Sequence, residues 1–152
     1  MNVVFPQSTA IAIQEALYSG DKLMLEGALR NLLLVSVSSF DTAHENFYHG
    51  LVLGLCAVMD NRYEVSSNRE AGEGRYDICL SPKPGNEQLP GILIELKAAK
   101  KCTPAQLKKL AGEALEQINE KRYDAQLSSR KKSSILKYGV AFCGKSVEIV
   151  LG

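Results

Sequence analysis

The sequence predicts a single α/β or α+β domain in which helices flank a mixed central sheet. Two observations lead to this prediction. Apolar residues recur at helical spacing through the first third of the chain, and strand-like apolar runs then follow on either side of one more amphipathic helix. The 152 residues fit one domain, and neither a repeat nor an obvious linker divides them.

The first third of the chain has the pattern of three helices. A helical hairpin packed on the core is expected over residues 1–38, with a stop at Ser19-Gly20 and a second helix opening at Asp21. The apolar set of that second helix is Leu23, Leu25, Leu29 and Leu32 to Leu34. A third, largely buried helix is expected from Asp41 to Asp60. This helix opens the core unit, which comprises residues 39–152.

After residue 61 the pattern changes from helical to strand-like. The runs 63–69 and 75–80 flank residues 71–74, Ala-Gly-Glu-Gly, whose glycines permit the positive φ of a hairpin loop. These two runs should therefore pair antiparallel. The run GILIELK, residues 91–97, is almost continuously apolar, which predicts a strand buried on both faces at the centre of the sheet.

One helix and two strands complete the predicted order. Thr103-Pro104 with Gln106 supplies a capping hydroxyl, a proline at the first helical position and a capping-box partner, so a helix should start there and last to about Tyr123 or Leu127. YGVAFCG and VEIVL then predict two strands around Gly144-Lys145.

Composition excludes several classes of protein. Lysine and arginine total 18 against 17 acidic residues, so no large uniform field indicates a nucleic acid or a membrane. The four cysteines are far apart without a CxxC pair, which indicates neither zinc nor a disulfide framework. No apolar run approaches the ~20 residues that span a bilayer, and the first residues do not have the pattern of a signal peptide. A soluble cytoplasmic protein is expected.

Charged residues occupy positions where a strand meant only for packing would carry Val or Ile. Glu95 and Lys97 point to the same face of their strand because strand side chains alternate. If the run that holds Asp77 lies beside that strand, two carboxylates and an ammonium group come together. Two close carboxylates raise each other's pKa, whereas a divalent cation keeps both ionised.

This combination of groups suits phosphodiester hydrolysis. Hard oxygen ligands fit Mg²⁺ or Mn²⁺, which would polarise a phosphoryl group and acidify a water molecule. Lys97 could orient the attacking hydroxide or stabilise the negative charge that develops on the phosphorane. The alternative is a structural cluster of ion pairs at the strand ends, since ExK in isolation is a weak motif.

Asp77, about seventeen intervening residues, and then Glu95-Leu96-Lys97 resemble the D…ExK signature of the PD-(D/E)XK nuclease superfamily. The resemblance implies a restriction-endonuclease-like core, a divalent metal held by Glu45, Asp77 and Glu95, and Lys97 as the catalytic cation. It also implies that Gln117, on the helix after ExK, positions these groups. Glu45 could instead be an ordinary solvated glutamate, and Gln117 could face solvent.

The wider sequence over roughly residues 40–150 is similar to the nuclease-like domain at the C-terminus of bacterial AAA-ATPase-like proteins. Tyr76 replaces the proline of the family name, and no GxxxxGK[ST] occurs, so the ATPase-like domain is absent from this chain. The resemblance implies a nucleic-acid substrate, with DNA favoured over RNA, and is compatible with a homodimer or with an ATPase-like domain or protein as partner. The alternative function is a catalytically silent binding or regulatory module that docks to such an ATPase-like partner.

Several basic side chains are the natural phosphate contacts if nucleic acid binds, and affinity would then fall with salt. They are Arg75, Lys100, Lys101, Lys108, Lys109, Arg130, Lys131 and Lys132. Arg75 could equally pair with Glu70 or Glu73, and the run 130–132 could be a solvated loop.

Overall fold

The computed structural model describes residues 7–36, 54, 62–67, 78–120 and 135–152. The strands in these ranges form one mixed sheet. The elements are α1 (Gln7–Ser19), α2 (Lys22–Ser36), β1 (Tyr63–Ser67), β2 (Ile78–Pro82), β3 (Gly91–Ala99), α3 (Pro104–Glu120), β4 (Ile135–Cys143) and β5 (Ser146–Leu151). The strand order is β1-β2-β3-β4-β5. β3 and β4 run parallel, and the other neighbouring strands of the described sheet pair antiparallel.

This architecture confirms the predicted α/β class, with a restriction-endonuclease-like core and two N-terminal helices. β3 is the middle strand, and its residues 91–96 are buried, as the continuous apolar run predicted. The antiparallel pairing of β1 with β2 is also confirmed, although β2 extends to Pro82. The predicted helix from Asp41 to Asp60, apart from Gly54, and the hairpin loop after β1 lie outside the described residues.

The turn between α1 and α2 forms as predicted. Gly20 has a φ of 74°, which glycine adopts without strain, and the Asp21 side chain accepts a hydrogen bond from the Met24 amide at 3.1 Å. The apolar set predicted for α2 was partly wrong, because Leu23 is 75% exposed and Leu34 is 56% exposed. These two residues are eleven apart, just over three whole turns, so they share the outer side of the helix.

α1 and α2 cover one face of the sheet and form the main core with it. Buried members of this core include Ile13, Leu17, Leu25, Leu29, Leu33, Ile78, Leu80, Ile92, Ile94, Leu96, Val140, Phe142 and Ile149. α2 also reaches the outer edge of β5, the last strand of the described sheet. There Glu26 accepts a hydrogen bond from the Ile149 amide at 3.0 Å, and Arg30 donates one to the Val147 carbonyl at 3.4 Å. These bonds occupy backbone groups that would otherwise be available to another strand.

Tyr138 joins the sheet to the end of α1. Its buried hydroxyl donates to the Leu17 carbonyl at 2.7 Å and lies 3.3 Å from the Ala16 carbonyl oxygen. Burial, followed by the nearby charge of Asp21, raises the pKa of Tyr138 far above its usual range. The hydroxyl therefore remains protonated and acts as a hydrogen-bond donor at every pH at which proteins are normally studied.

Replacing Tyr138 with phenylalanine should lower the free energy of unfolding by about 1–2 kcal/mol, because the Leu17 carbonyl loses its buried donor. The Ala16 carbonyl still accepts the Asp21 amide. Urea denaturation of both proteins measures the difference. An unchanged midpoint at an unchanged slope would show that water or a neighbouring group replaces the hydroxyl.

α3 covers the opposite face of the sheet and begins with the predicted capping box. The Gln106 amide donates to the Thr103 hydroxyl at 3.2 Å, and the Thr103 amide donates to the Gln106 side-chain oxygen at 2.8 Å. Leu107, Ala111, Ala114 and Ile118 form the buried stripe of this helix. Its predicted continuation to Tyr123 or Leu127 lies outside the described residues. Among the described residues, no helix is both long and apolar enough to cross a membrane.

Replacing Thr103 with alanine should destabilise the protein by about 1 kcal/mol, because the helix loses the side-chain acceptor at its cap. Thr103→Ser keeps the hydroxyl and serves as the control, with a stability close to that of the original protein. Thermal and urea unfolding of the three proteins provide the comparison. Equal losses in both variants would assign the effect to the threonine methyl group instead.

Candidate active site

Glu95 and Lys97 occupy the central strand of the sheet. Glu95 is buried, with 5% of its surface exposed, and Lys97 is half-buried two residues further along β3. Leu96, between them, packs in the core formed with α1 and α2. Since strand side chains alternate, the two charged groups point to the opposite face, the one that α3 covers.

The described residues before and beside Glu95 on its face of the sheet are apolar and closely packed. Leu93, two residues before it on the same face, packs against Ile118 and Leu115 of α3 and against Cys79 of β2. Gly139 of β4 stands beside Glu95 in the parallel register. A carboxylate held in such surroundings is costly to keep ionised unless opposite charge is close to it.

The absence of a side chain at Gly139 lets α3 approach the sheet next to Glu95. A Cβ atom there would overlap the Ala111 carbonyl oxygen and lie 2.7 Å from the Leu115 amide nitrogen. The backbone of α3 therefore rests directly on β4. Gly139 was not among the residues predicted from the sequence, although a glycine inside an apolar strand is a usual sign of close backbone approach.

Gln117 is half-buried near the C-terminal end of α3. Leu115 lies close to Gly139 and Gly152, so its flank of the helix faces β4 and the end of β5. Two residues advance about 200° around a helix, which leaves Gln117 about 160° from Leu115. Gln117 therefore lies on the other flank, the side of β3.

The remaining predicted site residues fall into two groups. Lys100 and Lys101 are exposed just beyond the end of β3, and Lys108 and Lys109 are exposed on the first turns of α3. Glu45, Arg75, Asp77, Arg130, Lys131 and Lys132 lie outside the described residues. β3 thus brings Glu95 and Lys97 together, with two lysines continuing beyond its end.

The described residues supply one carboxylate suited to a divalent metal. Glu95 offers hard oxygen atoms, the ligand type that Mg²⁺ and Mn²⁺ prefer, inside a buried strand. Among the residues that the structure describes, no group of three His, Cys, Asp or Glu side chains could hold a metal ion. Two of the three predicted ligands, Glu45 and Asp77, lie outside that part of the chain. The donor chemistry at Glu95 fits the group that the sequence predicts.

The topology defines a class of protein. A buried Glu-x-Lys on the central strand, followed by a capped helix and a parallel neighbouring strand, is the arrangement of the restriction-endonuclease-like α/β core. The model of the PD-(D/E)XK nuclease superfamily matches residues 43–151, and the chain belongs to this superfamily. No curated protein shows significant similarity to the sequence.

Proposed function

We propose that the chain is a metal-dependent phosphodiesterase that hydrolyses the backbone of nucleic acid. The main observation in support is that the buried Glu95 shares one face of the central strand with Lys97, in a chain of the nuclease superfamily. A buried carboxylate in apolar surroundings has a chemical reason to be there when it binds a cation.

Glu95, Asp77 and Glu45 are the proposed metal ligands. A bound Mg²⁺ or Mn²⁺ ion would neutralise charge on the scissile phosphate and acidify an attacking water molecule. Glu95 is well suited to the ligand role because it belongs to the ladder to β4, and the preceding Ile94 belongs to the ladder to β2. A rigid strand holds a ligand more closely than a loop does.

Lys97 is the proposed catalytic cation. Its half-buried position limits screening by water, so its ammonium group acts more strongly on a developing phosphorane charge than an exposed lysine would. It shares a strand face with Glu95 at a fixed spacing of two residues. Both groups therefore approach the same phosphate from one surface.

Asp77 is proposed as the second carboxylate although it lies outside the described residues. Ile78, to which it is covalently bonded, pairs with Ile94, the residue before Glu95. Consecutive Cα atoms across a trans peptide bond are about 3.8 Å apart. That connection supports a shared site for Asp77 and Glu95.

Gln117 is proposed as a positioning residue. Helical side chains incline toward the N-terminus of their helix. α3 begins beyond the end of β3 that carries Lys97, and its Ile118 packs with Leu93. Gln117 therefore leans from the level of Leu93 toward that of Glu95, which supports a hydrogen bond to a group at the site.

The exposed lysines at the end of β3 are the proposed nucleic-acid contacts among the described residues, with Arg75 and the run 130–132 as further proposed contacts. Lys100 and Lys101 extend the positive charge of Lys97 toward solvent. Contacts of this kind act on phosphates irrespective of sequence, and they weaken as salt rises. A homodimer and an ATPase-like partner stay predictions from the sequence.

Cleavage of labelled single- and double-stranded DNA and RNA with Mg²⁺ or Mn²⁺ tests the proposal. Activity should disappear with EDTA and fall by about 100-fold or more in Lys97→Ala, which removes the stabilising cation. Lys137→Ala is the control, because Lys137 is a half-buried lysine of β4 whose ammonium donates to Asn119 at 3.0 Å.

Three outcomes separate the candidate functions. Metal-dependent cleavage that survives in Lys137→Ala and is lost in Lys97→Ala supports the nuclease. Mn²⁺ binding without cleavage of any substrate favours the silent binding or regulatory module. A folded protein that neither binds Mn²⁺ nor cleaves leaves the structural ion-pair interpretation.

A further inference from the structure

Cys102 and Cys143 meet at the end of the sheet where β3 and β4 both finish. Cys143 is the last residue of β4 and stands opposite Ala99 of β3 in the parallel register. Cys102 follows Ala99 by three residues and directly precedes the cap of α3. Both side chains pack against the cluster formed by Leu107, Ala111 and Ala141. Fold topology thus brings together two thiols that are forty-one positions apart in sequence.

The two thiols are in direct contact. Partial burial and then the neighbouring Cys143, which also forms a hydrogen bond with Cys102, raise the pKa of the Cys102 thiol. Both cysteines are half-buried and so remain open to a small reagent, whereas Cys79 is buried with 6% of its surface exposed. This contact distinguishes the pair from Cys79, which fits the usual pattern of an inert core cysteine.

We propose that Cys102 and Cys143 form a reversible disulfide that ties the start of α3 to the end of β4. The oxidant is a small-molecule disulfide. One cysteine thiolate attacks a sulfur of the oxidant, giving a mixed disulfide and one small thiolate. The second cysteine thiolate attacks the protein sulfur of that mixed disulfide, forming the Cys102–Cys143 bond and expelling the second small thiolate.

The electrons and protons of this exchange balance. Two protein S–H bonds are replaced by one S–S bond, and the two electrons reduce the small disulfide to two thiols, which take up the two protons. The raised pKa of Cys102 makes the exchange slower near neutral pH, because the thiolate is the attacking species. The inference does not depend on nuclease activity.

The bond would close a ring that contains α3 and the whole of β4. Such a ring restricts the unfolded chain and so raises resistance to denaturant. It also fixes the segment 99–103, which carries Lys100 and Lys101, against β4. Oxidation would therefore stiffen the basic end of the sheet.

Peptide mapping of the intact chain after exposure to glutathione disulfide tests the proposal. The protein is incubated over a series of glutathione ratios, trapped by acid and alkylation, digested and analysed by mass spectrometry. We expect a linked peptide pair containing Cys102 and Cys143, which dithiothreitol separates, while Cys79 is alkylated. The urea midpoint should be higher for the oxidised protein than for the reduced one.

Serine variants sharpen the test. Cys102→Ser should leave Cys143 as a glutathione adduct and abolish the oxidation-dependent rise in midpoint, and Cys56→Ser should retain both the linked peptide and the rise. The original protein decides the question even if a variant fails to fold. A lasting glutathione adduct on Cys102 without a link to Cys143, or a link from Cys102 to Cys56 or Cys79, would overturn the proposal.

Discussion

Glu95→Gln should reduce metal-dependent cleavage by at least about 100-fold while the protein keeps its fold. Glutamine has almost the shape of glutamate but lacks the charge that holds a divalent cation. Loss of groups that merely support metal ligands typically costs 10- to 100-fold, so the loss of a direct ligand should cost about 100-fold or more. The measurement is the initial rate of cleavage of the preferred substrate, with and without added Mn²⁺.

Stability separates the metal site from a structural ion pair. If Glu95 binds metal, Mn²⁺ should raise the thermal midpoint of the original protein by mass action, and Glu95→Gln should lose that gain. Without metal the variant should unfold within about 1 kcal/mol of the original protein, which is usual when a substitution leaves packing intact. Removal of one partner of a buried ion pair would instead cost about 3–5 kcal/mol without metal.

Glu148→Gln is the matched control for Glu95→Gln. Glu148 is a half-buried glutamate of β5, on the same face of the sheet, opposite Ala141 of β4. Its replacement makes the same exchange of a carboxylate for an amide. Glu148 itself lies two strands from Glu95. Cleavage and the Mn²⁺-dependent midpoint should both persist in this variant, and equal losses in the two variants would contradict a specific role for Glu95.

Gly139→Ala should destabilise the protein by about 3 kcal/mol or more. Insertion of a methyl group into a filled core usually costs about 1–3 kcal/mol, and here the methyl group meets backbone atoms of α3, which cannot rotate away. Glycine inside a strand is itself unfavourable by about 0.5–1 kcal/mol relative to alanine, so the exchange would stabilise if space existed. The steric term is larger and decides the sign.

Gly112→Ala tests the same chemical change with the opposite expected sign. Gly112 lies inside α3, and an added Cβ there would meet no atom within 4 Å apart from its chain neighbours and the backbone of its own helix. Alanine should therefore stabilise the protein by about 0.5–1 kcal/mol. Urea denaturation of the two variants provides the comparison, and a Gly139→Ala protein as stable as the original would mean that α3 can move away from β4.

Movement of α3 would also be expected to affect the proposed chemistry. Gly139 stands in register with Glu95, and Gln117 belongs to the same helix as Ala111 and Leu115, the residues that the new methyl group would displace. Any folded Gly139→Ala protein should therefore cleave more slowly than Gly112→Ala. Small displacements of positioned groups are costly in catalysis.

Local sequence patterns predicted the turn between α1 and α2, the start of α3 and the central strand because their causes lie within a few residues. The hydroxyl of Thr103 and the side chain of Gln106 satisfy amides three residues away, and Gly20 provides a backbone conformation that other residues rarely adopt. The continuous apolar run of β3 predicted its burial for a similarly direct reason. A pattern of leucines did not show which of them face outward, as Leu23 and Leu34 demonstrate.

The candidate site was predictable only in part. The period of a strand places Glu95 and Lys97 on one face without any knowledge of the fold, and their charge in an apolar run predicted a functional role. Which other side chains lie close to Glu95 and Lys97 depends on the strand order and on the path of α3. Those properties arise from packing of segments that are distant in sequence.

The sequence by itself therefore determined the class of fold, the helix caps, the central position of β3 and the shared face of Glu95 and Lys97. Only the tertiary structure decided that α3 rests on Gly139, that Tyr138 holds the end of α1, and that Cys102 contacts Cys143. The physical reason is the separation in sequence between the residues that interact. Helix caps depend on residues within one helical turn, and strand periodicity depends on residues two positions apart. These three contacts instead join segments that come together only when the sheet and its helices pack.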